Sequence, residues 1–518
     1  MSQNLYYFLI MILVLLSCGK DEIEDLETNE VMKFHDYRPN FHFSPKANWI
    51  NDPNGMVYFE GTYHLFYQYY PDGTNWGPMH WGHATSTDLF AWEEKPIALY
   101  PDNLGYIFSG SAVADLKNTA GFKQNENIPL VAVFTHHGSL NGLQQQSLAY
   151  STDKGNTWAK YPVNPVLPNP GINDFRDPKV FWYEPDKKWI MVVSANDRIK
   201  IYSSPNLKDW AFQSDFGIGI GYHGGVWECP DLFPLIDDHG TEKWIMIVSL
   251  GGGEASKPNG GSTTQYFIGS FDGKEFRAEN DKVLWVDYGI DNYAGVTWSN
   301  IPKEDGRRIF IGWMSNWLYA GTTPTINWRG EMTIPREIKL KNTNGKYTLA
   351  FLPVTELNEQ KNTGNSVAFT TPQKRLEILK NEIIESGSFL VEMEIDFAKT
   401  DNFEIETGNA LENLKVNYNK LSGEFVIDRS KSGKIDFHPV FKRPIKCEFD
   451  NSNQILPVQM LVDNSSLELF INNGEKVMTA LFFPQYKYNF IKVQGSSDKD
   501  FIKSFTVTEI KKTINRQK

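Results

Sequence analysis

One pattern recurs along the chain: an acidic residue near proline, a short apolar run, a charged turn and a second apolar run. The clearest copies are "NDPNGMVYFEGTYHLFYQYY", "RDPKVFWYEPDKKWIMVVSAN" and "ECPDLFPLIDDHGTEKWIMIVSL", and two looser copies share the frame. The units begin near Asn51, Ser109, Arg176, Glu228 and Ala294, with a period somewhat over fifty residues. Short apolar runs bounded by turn residues are typical of β-strands, and this unit length matches a four-stranded blade. The repeat therefore predicts an all-β fold with a five-bladed β-propeller.

Three acidic residues fall in phase with this repeat. Asp52, Asp177 and Glu228 occupy nearly the same place in three units. In a propeller the first strand of each blade lines the central axis, so residues early in these strands converge. We therefore expect three carboxylates, distant in sequence, to meet in one funnel. The alternative is that all three make hydrogen bonds that only close the blades.

The second half of the chain has strands without a repeat, such as "SFLVEMEIDF" and "PVQMLVDNSSLELFINNG". This pattern predicts a β-sandwich. We expect the propeller over residues 34–345, a short helical linker over 346–360 and the sandwich over 361–518. Three roles stay open for the sandwich: packing against the propeller, binding polysaccharide or forming a homodimer.

The N-terminus has the features of an export signal. The apolar run "NLYYFLIMILVLLSC" is short for a membrane span and resembles a bacterial lipoprotein signal over residues 1–17, with Cys18 as the lipidated residue. Residues 18–33 read as an acidic tether. We expect an outer-membrane lipoprotein, on either face, held in the membrane only by its lipid anchor. A plain cleaved signal peptide is the alternative.

Composition narrows the class of function. The net charge of −12 argues against nucleic-acid binding. Three cysteines, at spacings typical of no metal site, predict neither a disulfide framework nor a metal centre. Aromatic residues reach 14%, with 15 Trp, a profile that aromatic-rich β proteins share with carbohydrate binders.

Paired carboxylates in a pocket are the groups that cleave glycosidic bonds. Glu228 stands between Trp227 and Cys229, an apolar setting that suits a general acid. Asp52 follows Asn51 in a turn and is expected to stay ionised as a nucleophile. Arg176 is expected to hold its neighbour Asp177 charged for binding sugar hydroxyls. This chemistry requires no cofactor or metal.

The phrases "NWINDPNG", "FRDP" and "WECPDLF", in this order, resemble the signature motifs of glycoside hydrolase family 32, the β-fructosidases. Further likeness lies in "FSGSAV", "GWMSNW" and "WRGEMTIPRE". The resemblance implies a five-bladed propeller, a C-terminal sandwich and a retaining double displacement. It implies that Asp52 attacks the anomeric carbon, that Glu228 is the acid and base, and that Asp177 stabilises the transition state.

The resemblance also implies a set of substrate-binding residues. If these residues were only structural, Gln68 and Ser109 would form hydrogen bonds at strand edges. The aromatic residues Trp76, Phe108 and Trp313 would then belong to the core. As site residues they would surround a fructosyl unit. The implied set is Asn51, Gln68, Trp76, Phe108, Ser109, Arg176 and Trp313.

These observations predict an exo-acting β-fructosidase that takes fructans such as levan or inulin, or sucrose. Within enzymes, a fructosyltransferase and an endo-fructanase stay open because they share the motifs. Outside enzymes, the alternative is a fructan-binding propeller lipoprotein, which the intact set of three acids disfavours. Hydrolysis of arabinose-containing chains is disfavoured by "WECP" and "NDPNG".

Overall fold

The computed structural model describes residues 37–450 and 454–513. The expected signal peptide, Cys18 and the acidic tether lie outside the described residues. Helix is scarce in the described part: two four-residue helices, α1 (Leu357–Gln360) and α2 (Glu382–Glu385), and a 3₁₀ turn at Ala320–Thr322. None of these helices is long and apolar enough to cross a membrane.

Five sheets form the first half of the described chain, antiparallel except for one short parallel strand in the first, which confirms the predicted five-bladed propeller. The first blade holds β1 (Asn48–Phe59), β2 (Thr62–Tyr70), β3 (His80–Ser86) and β4 (Glu93–Leu99). The second holds β5 (Tyr106–Ala114), β6 (Leu130–His137), β7 (Gln144–Ser151) and β8 (Ala159–Lys160). The third holds β9 (Phe175–Tyr183), β10 (Lys188–Ala195), β11 (Ile199–Ser204) and β12 (Ala211–Phe216).

The fourth blade holds β13 (Gly225–Ile236), β14 (Glu242–Gly252), β15 (Thr263–Phe271), β16 (Phe276–Ala278) and β17 (Leu284–Trp285). The fifth holds β18 (Tyr293–Thr297), β19 (Ile309–Trp313), β21 (Arg336–Thr343) and β22 (Lys346–Pro353), whereas the short strand β20 (Trp328–Arg329) pairs in parallel with β1 at the edge of the first blade. The first strands β1, β5, β9, β13 and β18 contact one another in that order, and β18 contacts β1 again. These contacts close a ring of five strands, and each strand of the ring contains the start of one repeat unit.

The continuous apolar runs of the middle strands follow from the stacking of blades. Side chains alternate between the two faces of a strand, and both faces of a blade are covered by neighbouring blades. In β10, Ile190 and Val192 pack into one core with Met246 of the fourth blade. Met191 of the same strand faces the other way and packs with Val131 of the second blade. The segment "KWIMVV" therefore contributes side chains to two hydrophobic cores, one on each face of the blade.

Two six-stranded antiparallel sheets form the second half, as the sequence predicted for a sandwich. One sheet holds β23 (Lys361–Phe369), β25 (Phe389–Asp396), β30 (Ile455–Asp463), β31 (Ser466–Ile471), β32 (Lys476–Leu481) and β34 (Ile502–Ile510). The other holds β24 (Arg375–Leu379), β26 (Asn402–Gly408), β27 (Asn413–Asn419), β28 (Glu424–Lys431), β29 (Ile445–Glu448) and β33 (Phe490–Gly495).

The expected linker differs from the structure. Residues 346–353 form β22, which pairs with β21 along its whole length as the outer strand of the fifth blade. Only α1, within residues 354–360, separates it from the sandwich. The strand "KYTLAFLP" was not predicted, because its pairing with β21, and not its own apolar pattern, makes it the outer strand of the blade.

Buried ion pairs join the two halves. Arg336 of the fifth blade donates to Asp287 at 2.9 Å and to Glu468 of the sandwich at 2.9 Å. His42 lies between Asp463 and Glu468, at 2.9 and 2.8 Å. Burying these charged groups away from water costs free energy, and this cost is offset only because each group pairs with an oppositely charged partner. The sandwich therefore packs directly on the propeller.

Candidate active site

A cavity of about 350 Å³ opens at one end of the propeller axis, and all five blades contribute to it. Its lining residues are Asn51, Asp52, Gln68, Trp76, Phe108, Ser109, His137, Gln144, Asp174, Arg176, Asp177, Glu228, Tyr293 and Trp317. All three sequence-predicted acids are among them. The in-phase carboxylates thus meet in one pocket.

The inner strands are irregular at this level. Pairing with the second strand of each blade shifts at Ile50/Pro53, Ile107/Gly110, Arg176/Lys179, Glu228/Asp231 and Tyr293/Val296. A bulge bends the strand and re-aims its side chains, and proline fits there because it donates no ladder hydrogen bond. Asp177 and Cys229, each followed by proline, adopt φ of 66° and 45°. The acid-proline pattern is therefore the local signature of the bulges in the first, third and fourth blades, which contain Pro53, Pro178 and Pro230.

Two neighbouring side chains donate hydrogen bonds to Asp52, and a third residue fixes one of these donors. Asp52 Oδ2 accepts from Ser109 Oγ at 2.8 Å, and its Oδ1 accepts from Asn51 Nδ2 at 3.0 Å. Trp49 Nε1 in turn donates to Asn51 Oδ1 at 2.8 Å, so the buried indole fixes the amide that orients the acid. Burial and the charge of Glu228 raise the pKa of Asp52, and these hydrogen bonds oppose the rise.

Glu228 has polar partners, in contrast to the apolar setting expected from its neighbours in sequence. Arg176 donates to its Oε1, and the Tyr293 hydroxyl donates to its Oε2. Trp227 is fully buried and points to the other face of the strand, as alternation requires. The environment of Glu228 is thus set by two neighbouring blades.

Asp177 is buried, and its Oδ2 accepts from the backbone N of Cys229 at 3.1 Å. The expected partner, Arg176, is 3.9 Å away and directs its hydrogen bonds to Glu228 and Asp174 instead. Burial, together with the charges of Glu228 and Asp52 and against that of Arg176, raises the pKa of Asp177 to about 7. Arg176 therefore favours the charged form of Asp177 through its own charge at 3.9 Å rather than through a hydrogen bond, and burial outweighs this effect.

Cys229 lies between two of the acids. Its Sγ is 3.5 Å from Asp52 Oδ2 and 3.6 Å from Asp177 Oδ2. Burial raises the pKa of this thiol well above its ordinary value, so the thiol keeps its proton and can donate weakly to both carboxylates. Cys229 is therefore a packing neighbour of both acids.

The predicted binding residues surround the carboxylates. Gln68 is buried, and its Nε2 has no hydrogen-bond partner within the described residues, which leaves a donor facing the cavity. Trp76 is 46% exposed and meets Phe108 edge to face at 6.0 Å. Phe108 stacks on His137 at 4.4 Å. One wall of the cavity is therefore aromatic.

Trp313, which was expected in the pocket, is not among the residues that line the cavity. It is fully buried and packs between Trp49, at 5.9 Å, and Trp317, at 4.9 Å. Trp317 is the residue of "GWMSNW" that lines the cavity, and it is 37% exposed. Both tryptophans fit the motif, and only the turn after β19 decides which one reaches the pocket.

Five cavity residues were not singled out from the sequence: His137, Gln144, Asp174, Tyr293 and Trp317. Tyr293 precedes the start of the fifth repeat unit by one residue, so the phase that located the acids also marks it. Asp174 stands two residues before Arg176 and contacts its guanidinium. His137 and Gln144 flank the loop between β6 and β7, where no repeat signal exists.

The arrangement can perform acid and base chemistry on a neutral ligand. Three carboxyl groups converge, with pKa values of two of them raised, beside one guanidinium and an aromatic wall. Two carboxyl groups that face one pocket, one to donate a proton and one to attack, are the arrangement that glycosidic cleavage requires.

Comparisons with known proteins agree with this chemistry. The family model for the "Glycosyl hydrolases family 32 N-terminal domain" matches residues 42–350, and that for "Glycosyl hydrolases family 32 C terminal" matches 354–509. A levanase of Bacillus subtilis (strain 168) is 47% identical over 489 residues, which cover 92% of this chain and 71% of the relative.

An extracellular exo-inulinase of Aspergillus niger is 38% identical over 488 residues, covering 86% of this chain and 90% of the relative. The crystal structure of an exo-inulinase from Aspergillus awamori superimposes with a TM-score of 0.85 at 35% identity, covering 93% of this chain and 100% of that one. The chain therefore belongs to glycosyl hydrolase family 32 and is a glycosidase.

Proposed function

We propose that the protein is a β-fructosidase that releases fructose from the ends of fructans such as levan or inulin, and from sucrose. The observation that carries the proposal is the meeting of Asp52, Asp177 and Glu228 in one cavity. The similarity to a levanase and to exo-inulinases supports the substrate class. The proposed partner is thus a neutral fructosyl chain.

In the first step Asp52 attacks the anomeric carbon of the terminal fructosyl unit, and Glu228 protonates the departing oxygen. Asn51 and Ser109 keep the attacking carboxylate in place through hydrogen bonds of 3.0 and 2.8 Å. Arg176 and Tyr293 orient Glu228. The fructosyl-enzyme ester stores the sugar while the leaving group departs.

In the second step Glu228 takes a proton from a water molecule whose oxygen attacks the anomeric carbon, which breaks the bond to Asp52 and releases fructose with retained configuration. Asp177 binds the ring hydroxyls of the fructosyl unit and stabilises the developing positive charge. Gln68, Trp76 and Phe108 complete the sugar pocket, and Trp317 takes the wall position first expected for Trp313.

The shape of the cavity supports exo action. Residues from all five blades surround it, and the inner strands close a full ring beneath it. A pocket at the end of a closed ring admits a chain terminus, whereas an endo-acting enzyme requires a groove that continues past the cleaved bond.

A product assay tests the proposal. The full chain would be incubated with levan, inulin and sucrose, with Glu228→Gln in parallel, and products separated over time. Fructose alone from the first minutes, lost in the variant, is the expected result. Early oligosaccharides would show endo action, longer products would show a fructosyltransferase, and no release from any substrate would favour a binding protein.

A lipid anchor at Cys18 is part of the proposal and places the enzyme at the bacterial outer membrane, where polymers arrive. The lipoprotein-like segment "LLSC" supports it. Cys18→Ala should move the protein from the membrane fraction to the soluble fraction in immunoblots, whereas a plain signal peptide predicts no change. The homodimer stays a prediction for analytical ultracentrifugation.

A further inference from the structure

A second cavity opens at the other end of the propeller axis. The catalytic acids stand early in the inner strands, whereas this cavity is lined by their later residues, such as Val113 of β5, Tyr183 of β9 and Phe233 of β13. Six residues of strand separate Asp177 from Tyr183, roughly 20 Å at about 3.3 Å per residue. Its volume of about 780 Å³ exceeds the 350 Å³ of the catalytic cavity. It is thus a separate space of ligand size.

The cavity has a polar floor with an unused acceptor. Lys179 and Asp231 form a buried ion pair at 3.0 Å. Asp231 Oδ2 also accepts from Thr297 N and Oγ1, at 2.7 and 2.8 Å. Asp231 Oδ1 is buried and has no partner within residues 37–450 and 454–513. Because an unpaired buried oxygen is costly, a hydroxyl donor or a bridging water in the cavity would satisfy it.

The cavity also has an aromatic wall across two blades. Trp244 of the fourth blade lies 5.7 Å from Phe181 and 6.0 Å from Tyr183 of the third blade, measured between ring centroids. Phe271 supports Trp244 from behind at 5.0 Å. Tyr183 and Trp244 are partly exposed. Rigid aromatic side chains beside a few polar groups are the usual lining of small-molecule and sugar sites.

The charges of the lining nearly cancel. Four cationic side chains, Lys117, Lys179, Lys303 and Arg308, face three anionic ones, Glu184, Asp231 and Glu242. Lys117 pairs with Glu184 at 3.0 Å, as Lys179 does with Asp231. A phosphate or nucleotide site would carry a clear positive excess. The balance favours a neutral, hydroxyl-rich ligand.

We infer that this cavity is a second, non-catalytic carbohydrate site that holds a segment of the polymeric substrate. The identity of the sugar as fructan rests on the proposed function. A polymer bound at this end of the propeller keeps its other chain ends near the catalytic cavity, so the second contact raises their effective concentration. Sucrose is too short to use both sites.

Blocking the cavity tests this inference. Leu116 lines its rim and is 60% exposed, so Leu116→Cys can be alkylated with a bulky maleimide that fills the mouth. Alkylation should raise the KM for levan or inulin about 5- to 10-fold, because a second linked contact can increase the overall affinity by at least that factor. The KM for sucrose and every kcat should stay within twofold. Trp244→Ala should act in the same direction.

The matched controls are unlabelled Leu116→Cys and the labelled parent chain, which carries the same Cys18, Cys229 and Cys447. Cys229 and Cys447 are buried, and any labelling at Cys18 is common to the parent and the variant. Retardation of Glu228→Gln in native gels containing levan should fall when Trp244→Ala is added. Unchanged polymer KM in both the labelled and the Trp244 variant would overturn the inference, as would an equal rise for sucrose. If the parent releases no fructose from any substrate, the proposed function fails instead.

Discussion

Arg176 on β9 donates from Nε and Nη2 to the same oxygen of Glu228 on β13, at 3.1 and 2.8 Å. The side chain thereby ties the third blade to the proposed acid and base on the fourth. A planar guanidinium can make this pair of bonds while also reaching Asp174, and an ammonium group cannot. The orientation of Glu228 is therefore a property of two blades.

Arg176→Lys should lower kcat/KM for sucrose by about 100-fold, because the charge remains while the fork that orients Glu228 is lost. Steady-state kinetics on purified protein would measure it. Arg277→Lys is the matched control, since Arg277 is exposed and pairs with Asp272 and Glu275 on the surface. A loss below threefold in Arg176→Lys would contradict the orienting role.

Asp177→Asn should remove activity by about 1000-fold and raise thermal stability at pH 8. The pKa of Asp177 is raised to about 7 in the folded chain, from an ordinary value near 3.8, so the folded state binds the proton more tightly. Stability of the parent therefore falls as pH rises from about 4 to 7, by about 2–4 kcal/mol. The neutral amide avoids that loss.

Melting curves at pH 4 and pH 8 would show whether Asp177→Asn raises or lowers the thermal stability at each pH. The variant should melt a few degrees above the parent at pH 8 and close to it at pH 4. A variant less stable than the parent at pH 8 would show that the carboxylate's hydrogen bond to Cys229 N outweighs its burial.

Trp317 and Trp313 should respond differently to truncation. Trp317 lines the cavity and is 37% exposed, so Trp317→Ala should raise KM about tenfold with little change in Tm. Trp313 is fully buried, so Trp313→Ala should cost about 3–5 kcal/mol of unfolding free energy. Paired kinetics and urea unfolding would separate the two. Equal KM effects in folded variants would place Trp313 back at the pocket.

Glu331→Gln should flatten the pH dependence of stability. Glu331 is 2% exposed, and neither carboxylate oxygen has a partner in the described part of the chain. Burial raises its pKa from about 4.5 to about 8, with His42 opposing and Asp463 adding to the rise. The folded state again holds the proton more tightly, so the parent loses stability as pH rises from about 4.5 to 8.

Urea unfolding from pH 4 to pH 9 would measure this effect. The difference between variant and parent should grow by about 3–5 kcal/mol across that window and then level off. Glu126→Gln is the control, since its side chain is 98% exposed. A constant difference across the window would show that the pKa of Glu331 is the same in the folded and unfolded chains.

Much of this protein follows from local sequence physics. The alternation of apolar residues gives strands, the turn residues end them, and the period of the units gives five blades. Because the repeat places its first strand at the axis, residues in phase with it must converge. The repeat therefore predicts that one pocket contains Asp52, Asp177 and Glu228. Tyr293 stands near the matching position of the fifth unit.

Only the tertiary structure decided which partner each of these side chains has. Arg176 is adjacent to Asp177 in sequence yet binds Glu228, because the bulges turn neighbouring residues in different directions. Trp317 rather than Trp313 reaches the cavity, and residues 346–353 complete a blade rather than a linker. Strand periodicity is a property of adjacent residues, whereas contacts between blades depend on bulges and packing that no local pattern encodes.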